Sequence, residues 1–230
     1  MSLDVQKQAV GEAAAAMVED GMCVGLGTGS TAAFFVKALG ARVAAGLKIR
    51  CVSTSVATAE LAASLGMTLL DLNDAGRIDL CVDGADEIGP GLALIKGGGA
   101  ALLREKLVWE ASDRCVTIAD HTKVVKALGA FALPIEVVAF GHKTTANRIA
   151  DVLAEFDIGM APRLRVKDGQ PVLTDGGNVI YDVACGVIAE PSALAAALKA
   201  TTGVVEHGLF LDLAEEALVA TLDGVERHYP

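Results

Sequence analysis

Four times in its first 123 residues this chain runs from a short apolar stretch directly into a cluster of polar side chains. Met22-Cys23-Val24-Gly25-Leu26-Gly27 leads into Thr28-Gly29-Ser30-Thr31, and 49–52 leads into Ser53-Thr54-Ser55. The run 78–82 ends on Asp83-Gly84-Ala85-Asp86-Glu87, and 115–119 ends on Asp120-His121-Thr122-Lys123. Around these runs the apolar spacing is helical, over 3–18, 32–47, 56–65 and 100–112, with one more strand expected at 68–72. Parallel strands need long crossover connections, so this alternation predicts a doubly wound, mostly parallel sheet with helices on both faces. Such sheets bind ligands beyond the carboxyl ends of their strands, where the four polar clusters are expected to converge.

After about Phe131 the texture changes. Strands are expected at 133–140, 163–166, 179–183 and 204–210, with helices at 143–156 and 191–200, and a turn at Lys167-Asp168-Gly169-Gln170. The order β-α-β-β-α-β is that of a split, ferredoxin-like α+β unit. The expected division is therefore a Rossmann-like α/β domain over 1–130 and a smaller domain over 131–206. The chain then returns to the first domain at about 207–230, closing with a strand at 217–221 and a turn at 223–225.

Composition narrows the function classes. A net charge of −10 argues against a nucleic-acid partner. Although 53% of residues are hydrophobic, no apolar run approaches the length of a membrane span. The stretch 1–20 is amphipathic and carries acidic residues, unlike a signal or transit peptide. Five cysteines include no CxxC pair, and four stand next to a valine in a strand-like run. They read as small buried hydrophobes in a reducing cytosol, which points to a cytoplasmic protein. Asp83, Asp86 and Glu87 lack nearby histidines and an EF-hand pattern, so no metal is expected there. His121, His142, His207 and His228 are scattered and read as structural or surface groups.

Glu105 stands out on a helical wheel. Ala101, Leu102, Val108 and Trp109 fall within about 60° of it, while Arg104 and Lys106 point about 100° to either side. A lone carboxylate on an apolar face is costly to bury, and burial raises its pKa, which suits a functional acid or base better than a solvated Arg-Glu-Lys run. Just upstream, Lys96-Gly97-Gly98-Gly99 stands before the helical pattern, where amides at a helix start and a lysine are expected to favour an anion. The turn Thr28–Thr31 is also a candidate phosphate cradle. It is neither a dinucleotide fingerprint, since Ser30 replaces the third glycine, nor a Walker A loop, since no Gly-Lys-Ser/Thr follows. What remains is three hydroxyls and backbone amides suited to one phosphate monoester, against the alternative of an ordinary N-cap.

Taken together, several blocks resemble the type A ribose-5-phosphate isomerase family. They are Gly25-Leu26-Gly27-Thr28-Gly29-Ser30-Thr31-Ala32, Asp83-Gly84-Ala85-Asp86-Glu87-Ile88 and Lys96-Gly97-Gly98-Gly99-Ala100-Ala101-Leu102-Leu103-Arg104-Glu105-Lys106. Ile118-Ala119-Asp120 with Lys123, Leu133-Pro134-Ile135-Glu136-Val137, Asp175-Gly176-Gly177-Asn178 and 203–210 extend the similarity along the chain in order. The resemblance implies interconversion of ribose 5-phosphate and ribulose 5-phosphate, in the non-oxidative pentose phosphate pathway, without metal or organic cofactor. It puts the general base at Glu105, the sugar and its ring opening at Asp83, Gly84, Ala85, Asp86 and Lys96, and the phosphate at Lys7, Ser30, Thr31 and Lys123. It also implies a homodimer or homotetramer.

The chemistry suits these residues. A carboxylate in an apolar pocket can take the weakly acidic proton from C2 and return it to C1. Lys96 and the amides of Gly97–Gly99 would stabilise the enediolate oxygen, and Asp83 is the better candidate than Asp86 for opening the ring. The alternative from another class is a non-catalytic sugar-phosphate sensor of the same fold. Such a sensor would need an attached DNA-binding segment and would have no use for Glu105. A sugar-phosphate deaminase would be expected to carry a histidine near its aspartates.

Overall fold

The computed structural model describes residues 2–230. In chain order the elements begin with α1 (Leu3–Ala15), β1 (Cys23–Leu26), α2 (Ser30–Ala44), β2 (Arg50–Ser53), α3 (Val56–Ser64), β3 (Thr68–Leu69) and β4 (Leu80–Gly84). Two short strands follow, β5 (Glu87–Ile88) and β6 (Leu94–Ile95), then α4 (Leu102–Glu110), β7 (Cys115–Asp120), β8 (Leu133–Val137) and α5 (His142–Glu155). The last third holds β9 (Arg163–Leu164), β10 (Val166–Lys167), β11 (Gln170–Pro171), β12 (Val179–Val183) and α6 (Pro191–Lys199). It closes with β13 (Val204–His207), β14 (Leu209–Phe210), β15 (Glu216–Ala220) and β16 (Val225–His228). The chain groups into two compact units. One comprises the chain up to Ala85, Arg104–Val124 and Asp212–Pro230; the other comprises Asp86–Leu103 and Val125–Leu211.

The first unit is built on a seven-stranded sheet of order β16-β15-β7-β4-β1-β2-β3. Every pairing is parallel except that of β16 with β15. From β1 the chain winds outward through β2 to β3, then restarts at β4 and winds the other way. The boundary between β1 and β4 is thus the topological switch point. Alternation along the strands serves two layers of helix. Val24, Leu26, Leu80, Val82, Val116 and Ile118 share one core with Val10 of α1, Phe35 and Leu39 of α2 and Ala62 of α3. On the opposite face a Cβ at Gly25 would stand 2.7 Å from Cys81 Sγ and 2.9 Å from Val108 Cγ1, so α4 packs there at close range. Both layers exclude water from the strands, and each fully buried Leu or Phe in them is worth roughly 1.5–3 kcal/mol.

Two local contacts fix α1. Arg42 of α2 donates to the carbonyls of Ala15 and Val18, satisfying carbonyls at the end of α1. The helix stops at Ala15, short of the residue 18 that apolar spacing suggests. At its middle, a Cβ on Gly11 would lie 2.7 Å from Phe35 N and 2.8 Å from Phe34 C, so α1 lies directly on the backbone of α2.

The second unit contains a four-stranded antiparallel sheet of order β13-β8-β12-β9. Numbered along the chain, its strands lie 4-1-3-2 with a helix after the first and after the third, the ferredoxin-like arrangement read from the sequence. Ile135, Val137, Ile149, Leu153, Val179, Leu194 and Leu198 form its core. The β10–β11 hairpin turns on Asp168 and Gly169, both at positive φ, as a tight two-residue hairpin requires. A further sheet, β14-β6-β5, belongs to this unit, so the Asp86–Leu103 segment groups with it well before the change of texture at Phe131.

The strand expected over 204–210 is two strands. β13 pairs with β8 and β14 with β6, and the break falls at Gly208, where a Cβ would come 2.2 Å from Lys96 O. The expected strand at 133–140 stops at Val137, the one at 68–72 is only Thr68–Leu69, and β16 is an added edge strand. α2 starts two residues early, at Ser30, and α4 two residues late, at Leu102, because Ala100 has a positive φ of 58°.

Candidate active site

In the first unit the polar clusters gather at the carboxyl ends of the strands, around the switch point. Asp83, at the end of β4, has no exposed surface. Its Oδ1 accepts the N–H of Thr28 at 2.9 Å and of Gly84 at 2.7 Å, so the loops after β1 and β4 are tied through one carboxylate oxygen. A Cβ on Gly27 would stand 2.2 Å from that oxygen. Gly84 lies beside Thr31, where a Cβ on the glycine would stand 3.9 Å from the Thr31 Cβ.

The Thr28–Thr31 turn divides its work. Thr28 Oγ1 lies 2.7 Å from Thr54 Oγ1 and 2.8 Å from Ser55 Oγ, and Thr58 Oγ1 donates to Gly27 O at 3.0 Å. This hydroxyl cluster joins the loops after β1 and β2, so the hydroxyl of Thr28 braces the turn. The N-cap of α2 is Gly29, at φ 103°, with no side chain to cap the helix. The ordinary N-cap alternative therefore does not hold: neither Ser30 nor Thr31 caps α2, and both start a 15-residue helix whose macrodipole favours an anion. Ser30 Oγ instead accepts from Lys7 Nζ at 3.0 Å. Lys7 gets there because α1 and α2 touch at Gly11 and Phe34, and stepping back four residues on each gives Lys7 and Ser30.

Glu105 is 3% exposed, on a face of α4 whose other members Leu102, Val108 and Trp109 are also buried, as is Ala101 just before the helix. Because α4 crosses back between the parallel strands β4 and β7, its N-terminus is at their carboxyl ends. Val108 packs on Gly25, and Glu105 lies one turn nearer the end that carries Asp83. Lys123 is half-buried in the turn after β7, whose first residue Asp120 accepts the Thr122 N–H at 3.1 Å. His121 in the same turn meets Gln6 Oε1 through Nδ1 at 2.8 Å.

The second unit carries Asp86, Lys96 and the glycines. Lys96 is 2% exposed, with Nζ 5.3 Å from the Phe210 ring centroid, a cation–π distance. Its backbone N–H donates to Gly208 O at 2.9 Å. Asp86 Oδ2 accepts the Gly98 N–H at 2.8 Å, and a Cβ on Gly98 would lie 2.7 Å from Asp86 Oδ1. The expectation of free amides at a helix start is corrected here. α4 begins at Leu102, beyond all three glycines, and the Gly98 N–H is committed to Asp86.

Several residues here escaped the sequence reading. Gln6, 1% exposed, sits on the α1 stripe of Val10 and Ala14, and the wheel logic that found Glu105 would have found it. Thr58, within α3, carried no signal of its own, although the Ser53-Thr54-Ser55 cluster before it was expected at the ligand end. Arg165 donates to the carbonyls of Gly97 and Gly98, yet Arg163-Leu164-Arg165-Val166 reads as an ordinary half-exposed strand. Among the described residues no group of three or more His, Cys, Asp and Glu side chains is placed to hold a metal ion, and no helix is long and apolar enough to cross a membrane.

A buried carboxylate, exposed hydroxyls and a bare helix start, gathered at the switch point of a Rossmann-like sheet, define an α/β protein whose working end lies beyond β1 and β4. Comparison with known proteins narrows this class. Residues 50–224 match the family model described as ribose 5-phosphate isomerase A (phosphoriboisomerase A). The chain is 68% identical over 230 residues to the ribose-5-phosphate isomerase A of a Caulobacter species, covering 100% of both chains. A solved ribose 5-phosphate isomerase A from Neisseria gonorrhoeae superposes with a TM-score of 0.90 at 37% identity, over 100% of this chain and 98% of that one. A D-ribose-5-phosphate isomerase solved in complex with phospho-erythronic acid gives 0.93 at 35% identity, over 100% of both. This chain belongs to the ribose-5-phosphate isomerase A family.

Proposed function

We propose that this chain is an aldose–ketose isomerase that interconverts D-ribose 5-phosphate and D-ribulose 5-phosphate, with Glu105 as the proton-transfer base. Family membership over the whole length supports the activity, and the relative solved with phospho-erythronic acid supports a phosphorylated ligand. The family is that of an enzyme, which favours catalysis over the non-catalytic sensor. The observation that carries the mechanism is Glu105, a buried carboxylate one turn from Val108 on a helix whose N-terminus faces the switch point.

In the aldose-to-ketose direction, Glu105 takes the proton from C2 of the open-chain sugar. The C2–H electron pair forms the C1–C2 double bond, and charge moves onto O1 as the enediolate. The proton then returns to C1, the O2–H electron pair forms the C2=O2 bond, and the proton from O2 passes to O1, which leaves the ketone at C2. Lys96, supported by the Gly97–Gly99 turn, would stabilise the developing oxyanion. Asp83 serves ring opening, and Asp86 holds sugar hydroxyls. The phosphate is assigned to Ser30, Thr31, the start of α2, Lys7 and Lys123, where remote binding energy orients the reacting end.

The test is to incubate the purified protein with ribose 5-phosphate in the presence of EDTA and assay for ketose. Ketose should accumulate to an equilibrium mixture; no ketose under these conditions would overturn the reading.

A further inference from the structure

We infer that Arg165, oriented by Asp182, is a positioning residue that sets the peptide planes of the Lys96-Gly97-Gly98-Gly99 turn and thereby holds Asp86 for the sugar. The inference rests on the isomerase reading above, in which Asp86 and Lys96 act on the substrate. Its geometry lies wholly within the second unit.

Arg165 stands between β9 and β10. Its own N–H donates to Ile180 O at 2.8 Å, and its carbonyl accepts the Val172 N–H at 3.0 Å, so its backbone is stitched to its neighbours on either side. The guanidinium meets Asp182 of β12 as a fork, with Nε to Oδ2 at 2.8 Å and Nη2 to Oδ1 at 2.5 Å. Such a paired contact fixes the plane of the group as well as its place. The remaining nitrogen, Nη1, donates to Gly97 O at 2.8 Å and to Gly98 O at 3.1 Å.

Those two contacts orient two successive peptides. In a trans peptide the N–H points opposite to the C=O. Holding Gly97 O toward Arg165 therefore turns the Gly98 N–H away from it, and that N–H is the one Asp86 Oδ2 accepts at 2.8 Å. Holding Gly98 O in the same way turns the Gly99 N–H to the side opposite Arg165. Gly97 needs this restraint because it sits at φ 108°, a region open to many glycine conformations. A lysine could not replace Arg165, since one ammonium cannot present a planar fork to Asp182 and reach two carbonyls as well.

The test measures kcat, KM, inhibition by inorganic phosphate and the thermal midpoint for Arg165→Lys and Arg165→Ala. Misplacing a positioned group can cost up to about a hundredfold, so kcat should fall about 10–100-fold in both variants. The phosphate inhibition constant should stay within about twofold of the wild type, and added guanidinium ion should restore turnover to Arg165→Ala. Should Arg165→Ala fail to fold, Arg165→Lys carries the test. Normal kcat in the folded variants overturns the inference, and so does a fall in kcat matched by loss of phosphate inhibition, which marks general loss of structure. A wild type that makes no ketose defeats the isomerase reading instead. An active wild type impaired by Asp86→Ala but indifferent to Arg165 defeats only the present inference.

Discussion

Gly27 and Asp83 occupy nearly the same space: a Cβ on the glycine would lie 2.2 Å from Asp83 Oδ1 and 2.5 Å from its Cα. The missing side chain at the end of β1 is what lets the carboxylate at the end of β4 sit across the switch point and accept the Thr28 and Gly84 amides. Backbone and a pinned carboxylate cannot give way by that much, so Gly27→Ala must displace Asp83. Turnover on ribose 5-phosphate should drop by at least about tenfold, consistent with the cost of moving a reacting group by about 1 Å. Near-normal kinetics in a folded Gly27→Ala protein would show that the position of Asp83 is immaterial.

Gly11 makes a different prediction because it lies at the contact of α1 with α2, one turn along α1 from Lys7. Its substitution by valine presses a side chain onto the Phe34–Phe35 backbone, which should cost about 1–3 kcal/mol by overpacking. Moving α1 off α2 also carries Lys7 away from Ser30, now 3.0 Å apart. KM for the sugar phosphate should therefore rise while kcat changes less. Denaturant unfolding and steady-state kinetics check the two effects separately, and an unaltered KM would remove Lys7 from the phosphate site.

The cysteines predict how stability depends on pH. Burial, with a smaller contribution from Cys23 beside it, pushes the Cys51 thiol up to about 12, and burial pushes Cys185 up to about 11. A thiol in the unfolded chain ionises near its ordinary value of 9.0. Above that pH the unfolded chain releases protons that the native chain keeps, so each such thiol lowers stability by about 1.4 kcal/mol per pH unit. The contribution is intact below pH 9 and is lost as pH climbs toward the folded values. Unfolding midpoints measured from pH 8 to 11 should fall in the wild type and fall less steeply in Cys51→Ala. Parallel curves for the two proteins would refute the assignment.

What the sequence disclosed and what it withheld follow from the range of the forces involved. Apolar periodicity is local, so the alternation of strand and helix and the buried face around Glu105 could be read directly. The β-α-β-β-α-β element order points to a ferredoxin-like unit, and the structure gives its sheet the order 4-1-3-2. Gly11 withheld its meaning because the backbone it touches lies 24 residues away, at Phe35. Gly208 did so because nothing near it announces the carbonyl of Lys96, and the single strand expected there becomes two. Arg165 lies in a stretch whose sequence announces only a strand, and its partners at Gly97, Gly98 and Asp182 are all remote along the chain. Only family resemblance groups Lys7 with the phosphate residues, since a lysine on an amphipathic helix is ordinarily solvated, and its contact with Ser30 appears only in the fold.

The decisive experiment concerns Glu105. It is a buried residue in the early part of α4, on the helix face shared with buried Leu102, Val108 and Trp109. Glu105→Gln preserves size and most hydrogen bonding while removing basicity, so the fold should survive. Loss of a positioned general base costs about 10²–10⁴-fold, and kcat should fall by that order with sugar-phosphate binding retained. In D₂O the wild type should build deuterium into the carbon that receives the proton, because a carboxyl proton exchanges with solvent during turnover, and the variant should incorporate almost none. Asp83→Asn should behave differently if Asp83 opens the ring, since substrate supplied in its open-chain form would then recover part of the rate. If Glu105→Gln turns over at close to the wild-type rate, the carboxylate serves structure alone, and the proton must travel through Asp83 or Asp86.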